Sequence, residues 1–75
     1  MDIRELELFK DLANTLHFGK TSQNCNISAS ALTRAIKRIE EGVGAQLFIR
    51  DNRSVSLTPA GAMFLEYSRK ASSFS

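Results

Sequence analysis

A mainly helical fold with one small β-hairpin is what this 75-residue sequence predicts, and three features predict it. Apolar residues recur at spacings of three and four over most of the chain, which is the period of an amphipathic helix. The exception lies between residues 45 and 58, where AQLFIR and SVSLT, rich in β-branched and aromatic residues, flank the turn-forming DNR. The third feature is punctuation. Asp2, Ser28 and Thr58 each precede a periodic segment, where a side-chain oxygen can accept from an unpaired amide of the first helical turn. A chain of this length buries only about 60 to 65% of the surface it exposes when unfolded, so it has room for one thin core.

In IRELELFKDLANTLHF, Leu6, Phe9, Ala13 and Leu16 share one face of a first helix. Leu8 and Leu12 widen that face to one side, a flank that another element or a second chain could cover. Asp2 caps this helix, with Glu5 at capping-box spacing. GKTSQNCNIS predicts a brief second helix from Lys20 to Asn24, then a turn through Asn26 and Ile27, since asparagine tolerates the left-handed conformation of a tight turn. From the cap at Ser28, ASALTRAIKRIEEGVG spaces Leu32, Ile36, Ile39 and Val43 as the apolar face of a third helix. Its opposite face holds Ser30, Thr33, Arg34, Lys37 and Glu41. Gly44 suits the left-handed position past its end, while Gly42 weakens the last turn by about 0.5 to 1 kcal/mol relative to alanine. After the hairpin, Thr58 caps and Pro59 opens a fourth helix. Along it Ala60, Phe64, Tyr67, Ala71 and Phe74 form a heptad seam.

The net charge of +2 hides a segregation along the chain. Residues 1–16 carry Asp2, Glu5, Glu7 and Asp11 against Arg4 and Lys10, whereas residues 17–39 carry Lys20, Arg34, Lys37 and Arg38 with no acid. A patch of that kind attracts polyanions, nucleic acid first among them. MDIRELELFK offers no secretory signal and no stretch is long enough to cross a bilayer, so a cytoplasmic location without membrane contact is expected. One cysteine, Cys25, and one histidine, His17, are too few for a disulfide or a zinc site, and no cofactor is expected. Cys25 reads as a small buried hydrophobe. The same scarcity leaves no acid, base and nucleophile set, so no enzyme is expected.

Two short helices joined by a turn, the second basic on its outer face, then a hairpin, make a winged helix-turn-helix over residues 1–58. Residues 59–75 start a long linker helix. The major groove of B-DNA is about 12 Å wide and admits one helix, so Ser30, Thr33, Arg34 and Lys37 would meet base edges and phosphates there. Glu40 and Glu41 would repel phosphates one turn further on, which makes the N-terminal half of the third helix the end that enters. Arg50 and Arg53 are placed at the hairpin tip, within reach of a flanking phosphate or a minor groove, with Asp51 as a turn residue. A plainer account of each cation is a solvated face with intrahelical pairs such as Lys37 with Glu41, worth only tenths of a kcal/mol. The combination with helix-turn-helix spacing favours Arg34 and Lys37 as contacts, while Arg38 points nearer the core boundary. In the fourth helix the seam of Phe64, Tyr67, Ala71 and Phe74 outruns what three short helices can cover. A second copy is therefore expected on its far end, giving a homodimer that presents two recognition helices to an inverted repeat. The competing reading is a winged-helix protein-interaction module, insensitive to Arg34→Ala and sensitive to changes at Leu8 or Leu12.

The run SxSALTRAIKRIEExVGAQLFIR, followed by LTPAG, resembles the N-terminal domain of LysR-type transcriptional regulators, and the likeness covers essentially the whole chain. HFGK and RDNRSVSLT look most like the members that control branched-chain amino-acid synthesis. The resemblance implies a linker helix that dimerises, with tetramers in the full-length protein, and a small-molecule co-inducer held by a C-terminal domain outside these residues. It also implies DNA contacts at Lys20 and Thr21, at Ser28, Ser30, Thr33 and Arg34, and at Arg50 and Arg53. The sequence departs from the family's habit at Thr21, Ser22, Cys25, Ala29, Ser30, Thr33 and Ala35. Those departures leave the fold intact and bear on base preference.

Overall fold

A computed structural model describes residues 2–52 and 54–73, with side chains to residue 70. In chain order the elements are α1 (Ile3–Thr15), α2 (Phe18–Asn24), α3 (Ala29–Val43), β1 (Phe48–Arg50), β2 (Val55–Leu57) and α4 (Pro59–Ser73). The fold is the mainly helical winged helix-turn-helix that the sequence predicts. The strands pair antiparallel, with Phe48 opposite Leu57, Ile49 opposite Ser56 and Arg50 opposite Val55.

Capping chemistry sets the helix starts. Asp2 Oδ1 accepts from the Glu5 amide at 2.8 Å, Ser28 Oγ from the Ala31 amide at 3.1 Å and Thr58 Oγ1 from the Gly61 amide at 2.9 Å. α2 begins two residues before the expected Lys20, because His17 is its cap and accepts the Lys20 amide on Nδ1 at 3.0 Å. Histidine is not among the favoured capping residues, so nothing local signals a helix start at that position. α3 ends at Gly44, left-handed at φ 81°, as expected. α1 ends at Leu16, also left-handed, with its amide on the Leu12 carbonyl. A leucine there costs about 1 to 2 kcal/mol of backbone strain, which the surrounding contacts must offset.

The core is made of Leu8, Phe9, Leu12, Leu32, Ile36, Ile39, Leu47 and Phe48. Phe9 stands at its centre, 5.4 Å from the Phe48 ring and 4.9 Å, edge-on, from the Phe64 ring. This corrects the expected apolar face of α1. Leu8 and Leu12 lie at the middle of that face, not on its flank, while Leu16 leaves it to form the cap and is 38% exposed. Helical spacing is satisfied by either register, and packing against α3 and α4 selects one.

The strands are three residues each, shorter than the two apolar runs, and side chains from α3 and from the cap of α4 add to the ladder that holds the wing. Glu40 Oε2 accepts from the amides of Leu47 and Phe48, at 2.8 and 3.1 Å. Thr58 Oγ1, besides capping α4, donates to the Gln46 carbonyl at 2.6 Å. Gly61 is buried where α4 crosses the hairpin. A Cβ there would press on the Leu47 carbonyl oxygen and come within 2.7 Å of Leu57 Cδ1.

Candidate nucleic-acid interface

α2 supports α3 from behind, and its inner anchor is Thr21. That residue is fully buried, with its Oγ1 2.7 Å from Thr15 Oγ1. The implied role of Thr21 as a DNA contact is thereby corrected, because its side chain faces α1 and does not reach the surface. The turn to α3 passes through Asn26 at φ 58°, the left-handed position the sequence predicts.

Beyond that turn, Ser28, Ser30, Arg34 and Lys37 are exposed along the outer ridge of α3, and Lys20 is exposed on α2. Thr33 is half-buried on the same ridge, and its Oγ1 donates back to the Ala29 carbonyl oxygen at 3.0 Å. Ser28 Oγ and Ser30 Oγ lie 3.4 Å apart. The ion pairs include Arg38 with Glu5 at 3.7 Å and Arg69 with Glu66 at 3.5 Å. Neither engages Arg34 or Lys37, so the alternative of intrahelical pairing finds no support there. Arg38 leans to α1 to meet Glu5, but its side chain is 76% exposed, which corrects its expected place near the core boundary.

Between α3 and β1 runs a groove lined by Phe18, Thr33, Lys37, Gln46 and Arg50, among others. The Arg50 guanidinium lies 4.1 Å over the Phe18 ring, an arrangement in which the ring's negative face attracts the cation. Arg50 therefore ends β1 and stacks on α2, which corrects its expected place at the tip. The tip itself is Asp51–Ser54, closed by the Asp51 amide on the Ser54 carbonyl at 2.8 Å. Arg53, expected at that tip, lies outside the described residues. Glu40 is also displaced from its expected role as a phosphate-repelling acid, since its carboxylate is turned in to hold the wing.

On α4, Phe64 is half-buried against Phe9, whereas Met63 and Tyr67 are 75% and 64% exposed. With Val43 and Ala60 they line an open apolar groove. Ala71 and Phe74, the rest of the expected seam, lie outside the residues whose side chains are described. No group of three or more His, Cys, Asp or Glu among the described residues could hold a metal ion, and no helix is long and apolar enough to cross a membrane.

Phe18, His17 and Glu40 are the contributors that sequence reasoning missed. Phe18 had a signal, an aromatic residue in an otherwise polar run. Glu40 had none, for its partners lie seven and eight residues on, across a loop.

A helix with an unpaired basic ridge, propped by a second helix and flanked by a stacked hairpin, defines a winged helix-turn-helix DNA-binding domain. Residues 3–62 match the family model of the bacterial regulatory helix-turn-helix protein, lysR family, and the chain belongs to the LysR family. It is 49% identical over 61 residues to the HTH-type transcriptional activator IlvY of Salmonella typhimurium, an alignment covering 81% of this chain and 21% of that protein. The chain thus spans about a fifth of the length of such relatives. Among solved structures, the BenM DNA-binding domain in complex with benA site 1 DNA superposes at a TM-score of 0.90 with 34% identity, covering 97% of this chain and 82% of that one. DarR of Vibrio fischeri in complex with DNA gives a TM-score of 0.91 at 30% identity, over 97% of this chain and 25% of that one. The chain is accordingly a DNA-binding domain of transcription regulation, and its relatives are regulators, not enzymes.

Proposed function

We propose that this domain binds an inverted-repeat operator as a homodimer, with the N-terminal half of α3 in the major groove. The observation that carries the reading is the outer ridge of α3, where Ser30, Arg34 and Lys37 are exposed and no ion pair among the described residues neutralises the two cations. Arg34 is the residue for base readout, since a bidentate pair with guanine is worth about 1 to 3 kcal/mol of discrimination. Lys20, Lys37 and Arg50 suit phosphates, with Ser28 beside the groove entrance, and Arg53 is assigned to the wing contact by the family pattern. Met63, Phe64 and Tyr67 begin the dimer surface that Ala71 and Phe74 extend. The likeness to IlvY supports an activator, and the HFGK and RDNRSVSLT runs support control of branched-chain amino-acid synthesis. In the full-length protein a co-inducer acts through the C-terminal domain, and tetramers form there.

Fluorescence anisotropy with an A/T-rich inverted-repeat duplex and a scrambled duplex across a salt series tests this. Log affinity should fall against log salt with a slope near −0.9 per neutralised phosphate. Arg34→Ala should erase most of the preference for the specific duplex, and Arg50→Ala should weaken both alike. Equal, salt-insensitive affinities would favour a protein-interaction module. The structure removes that module's expected marker, because Leu8 and Leu12 are buried in the core and changes there would unfold the chain.

A further inference from the structure

Phe18 and Arg50 meet across the groove from two separate elements. Phe18 is the first residue of α2, set there by the His17 cap, and it is half-buried against the core. Arg50 is the last residue of β1, paired with Val55, and it is exposed. The guanidinium carbon lies 4.1 Å from the ring centroid. Both anchors are thus held by backbone structure, and only the side chains bridge them.

The ring covers one flat face of the guanidinium, whereas the five N–H donors of arginine point outward in its plane. Stacking therefore leaves the donors available to a phosphate. Competing acceptors are occupied or absent. Glu40, which lines the same groove, has its Oε2 on the amides of Leu47 and Phe48, and Arg50 forms no ion pair among the described residues. An unsupported arginine on a surface strand samples many rotamers, and binding has to freeze them. Here the negative face of the ring attracts the cation beforehand. We infer that Phe18 is a positioning residue for DNA binding, whose ring pre-orders the Arg50 guanidinium for a backbone phosphate. This rests on the reading that Arg50 meets a phosphate. Filling the core would need only apolar bulk, which leucine supplies without a π face.

Anisotropy with the specific and scrambled duplexes tests this on Phe18→Leu, Phe18→Tyr, Arg50→Ala and the double variant Phe18→Leu with Arg50→Ala. Phe18→Leu should weaken both duplexes about twofold to fivefold, the size of an exposed cation–π contact, and Phe18→Tyr should bind as the wild-type domain does. In the Arg50→Ala background Phe18→Leu should cost nothing further, because the cycle isolates the pair. The salt slope should be unchanged by Phe18→Leu, which keeps the phosphate contact, and should shrink by about 0.9 in Arg50→Ala. In the free domain the Arg50 Nε–H proton should resonate upfield and return downfield in Phe18→Leu. Undiminished binding by Phe18→Leu, or a loss that persists in the Arg50→Ala background, overturns the inference while leaving the phosphate contact intact. An Arg50→Ala domain that binds both duplexes as tightly as before overturns the phosphate reading, and the role of Phe18 with it.

Discussion

Glu40 is the residue whose role differs most from its composition. With Glu41 beside it at the end of a basic helix, Glu40 reads as a repellent for DNA, yet it accepts two backbone amides that the three-residue strands leave unpaired. Charge-assisted bonds of that kind are worth about 1.5 to 3 kcal/mol each, less where water can substitute. Glu40→Ala should lower the unfolding free energy by about 2 to 3 kcal/mol, read from the urea midpoint, while Glu40→Gln, which keeps an acceptor oxygen, should lose roughly half as much. An unchanged Glu40→Ala midpoint would mean that solvent serves those amides equally well. Cys25 makes a second prediction at this scale. Burial, ahead of the nearby Asp11 carboxylate, pushes its thiol up. The folded chain then holds the thiol proton more tightly than the unfolded one, a contribution complete below the unfolded value and lost as pH rises through the folded value, in the alkaline range. Iodoacetamide should label the folded chain more slowly than the urea-unfolded chain, and the gap should narrow as pH is raised.

Element by element, legibility tracked how local the determinants are. α3 was readable almost to its last residue, because its cap, apolar spacing and terminal glycine all lie within its own sequence. α2 was not, since its start depends on His17 and its packing on Thr21, a hydroxyl bonded to α1. Periodicity sets the apolar face of α1 to one side of Leu8 and Leu12, and only packing from elsewhere in the chain, including the Phe48 and Phe64 rings on Phe9, puts those two leucines at its middle. In the site, the exposed ridge of α3 follows from periodicity alone, whereas the stacking of Arg50 on Phe18 spans more than thirty residues and has no local signature. Two glycines show the same divide. Gly42 has nothing within 4 Å of an added Cβ, so Gly42→Ala should stabilise α3 by about 0.5 to 1 kcal/mol. Gly61 meets backbone and a leucine, so Gly61→Ala should destabilise by about 1 to 3 kcal/mol through overpacking. Thermal melts of the two variants should move in opposite directions.

At the scale of the molecule, the chain puts an apolar groove and a cationic ridge on different elements, α4 and α3, and the proposed function assigns a second copy to the first and DNA to the other. Met63→Glu with Tyr67→Glu should shift the sedimentation coefficient toward that of a single chain, with the urea midpoint of the monomer little changed, because both side chains are mostly exposed. Binding to a single half-site should survive that double change, and binding to the full inverted repeat should weaken by the loss of the second tethered contact. Retention of the original sedimentation behaviour would show that the chains associate elsewhere.

Thr58 lies at the joint between these two surfaces. Its hydroxyl grips the Gln46 carbonyl ahead of the wing and the Gly61 amide inside α4, while Gly61 leaves no gap beneath the Leu47 carbonyl. Wing and α4 are thus riveted into one lever. Tilting α4 about the core would swing the hairpin with it, so in the dimer proposed above the angle between the two copies of α4 would set how far apart two wings touch down on DNA.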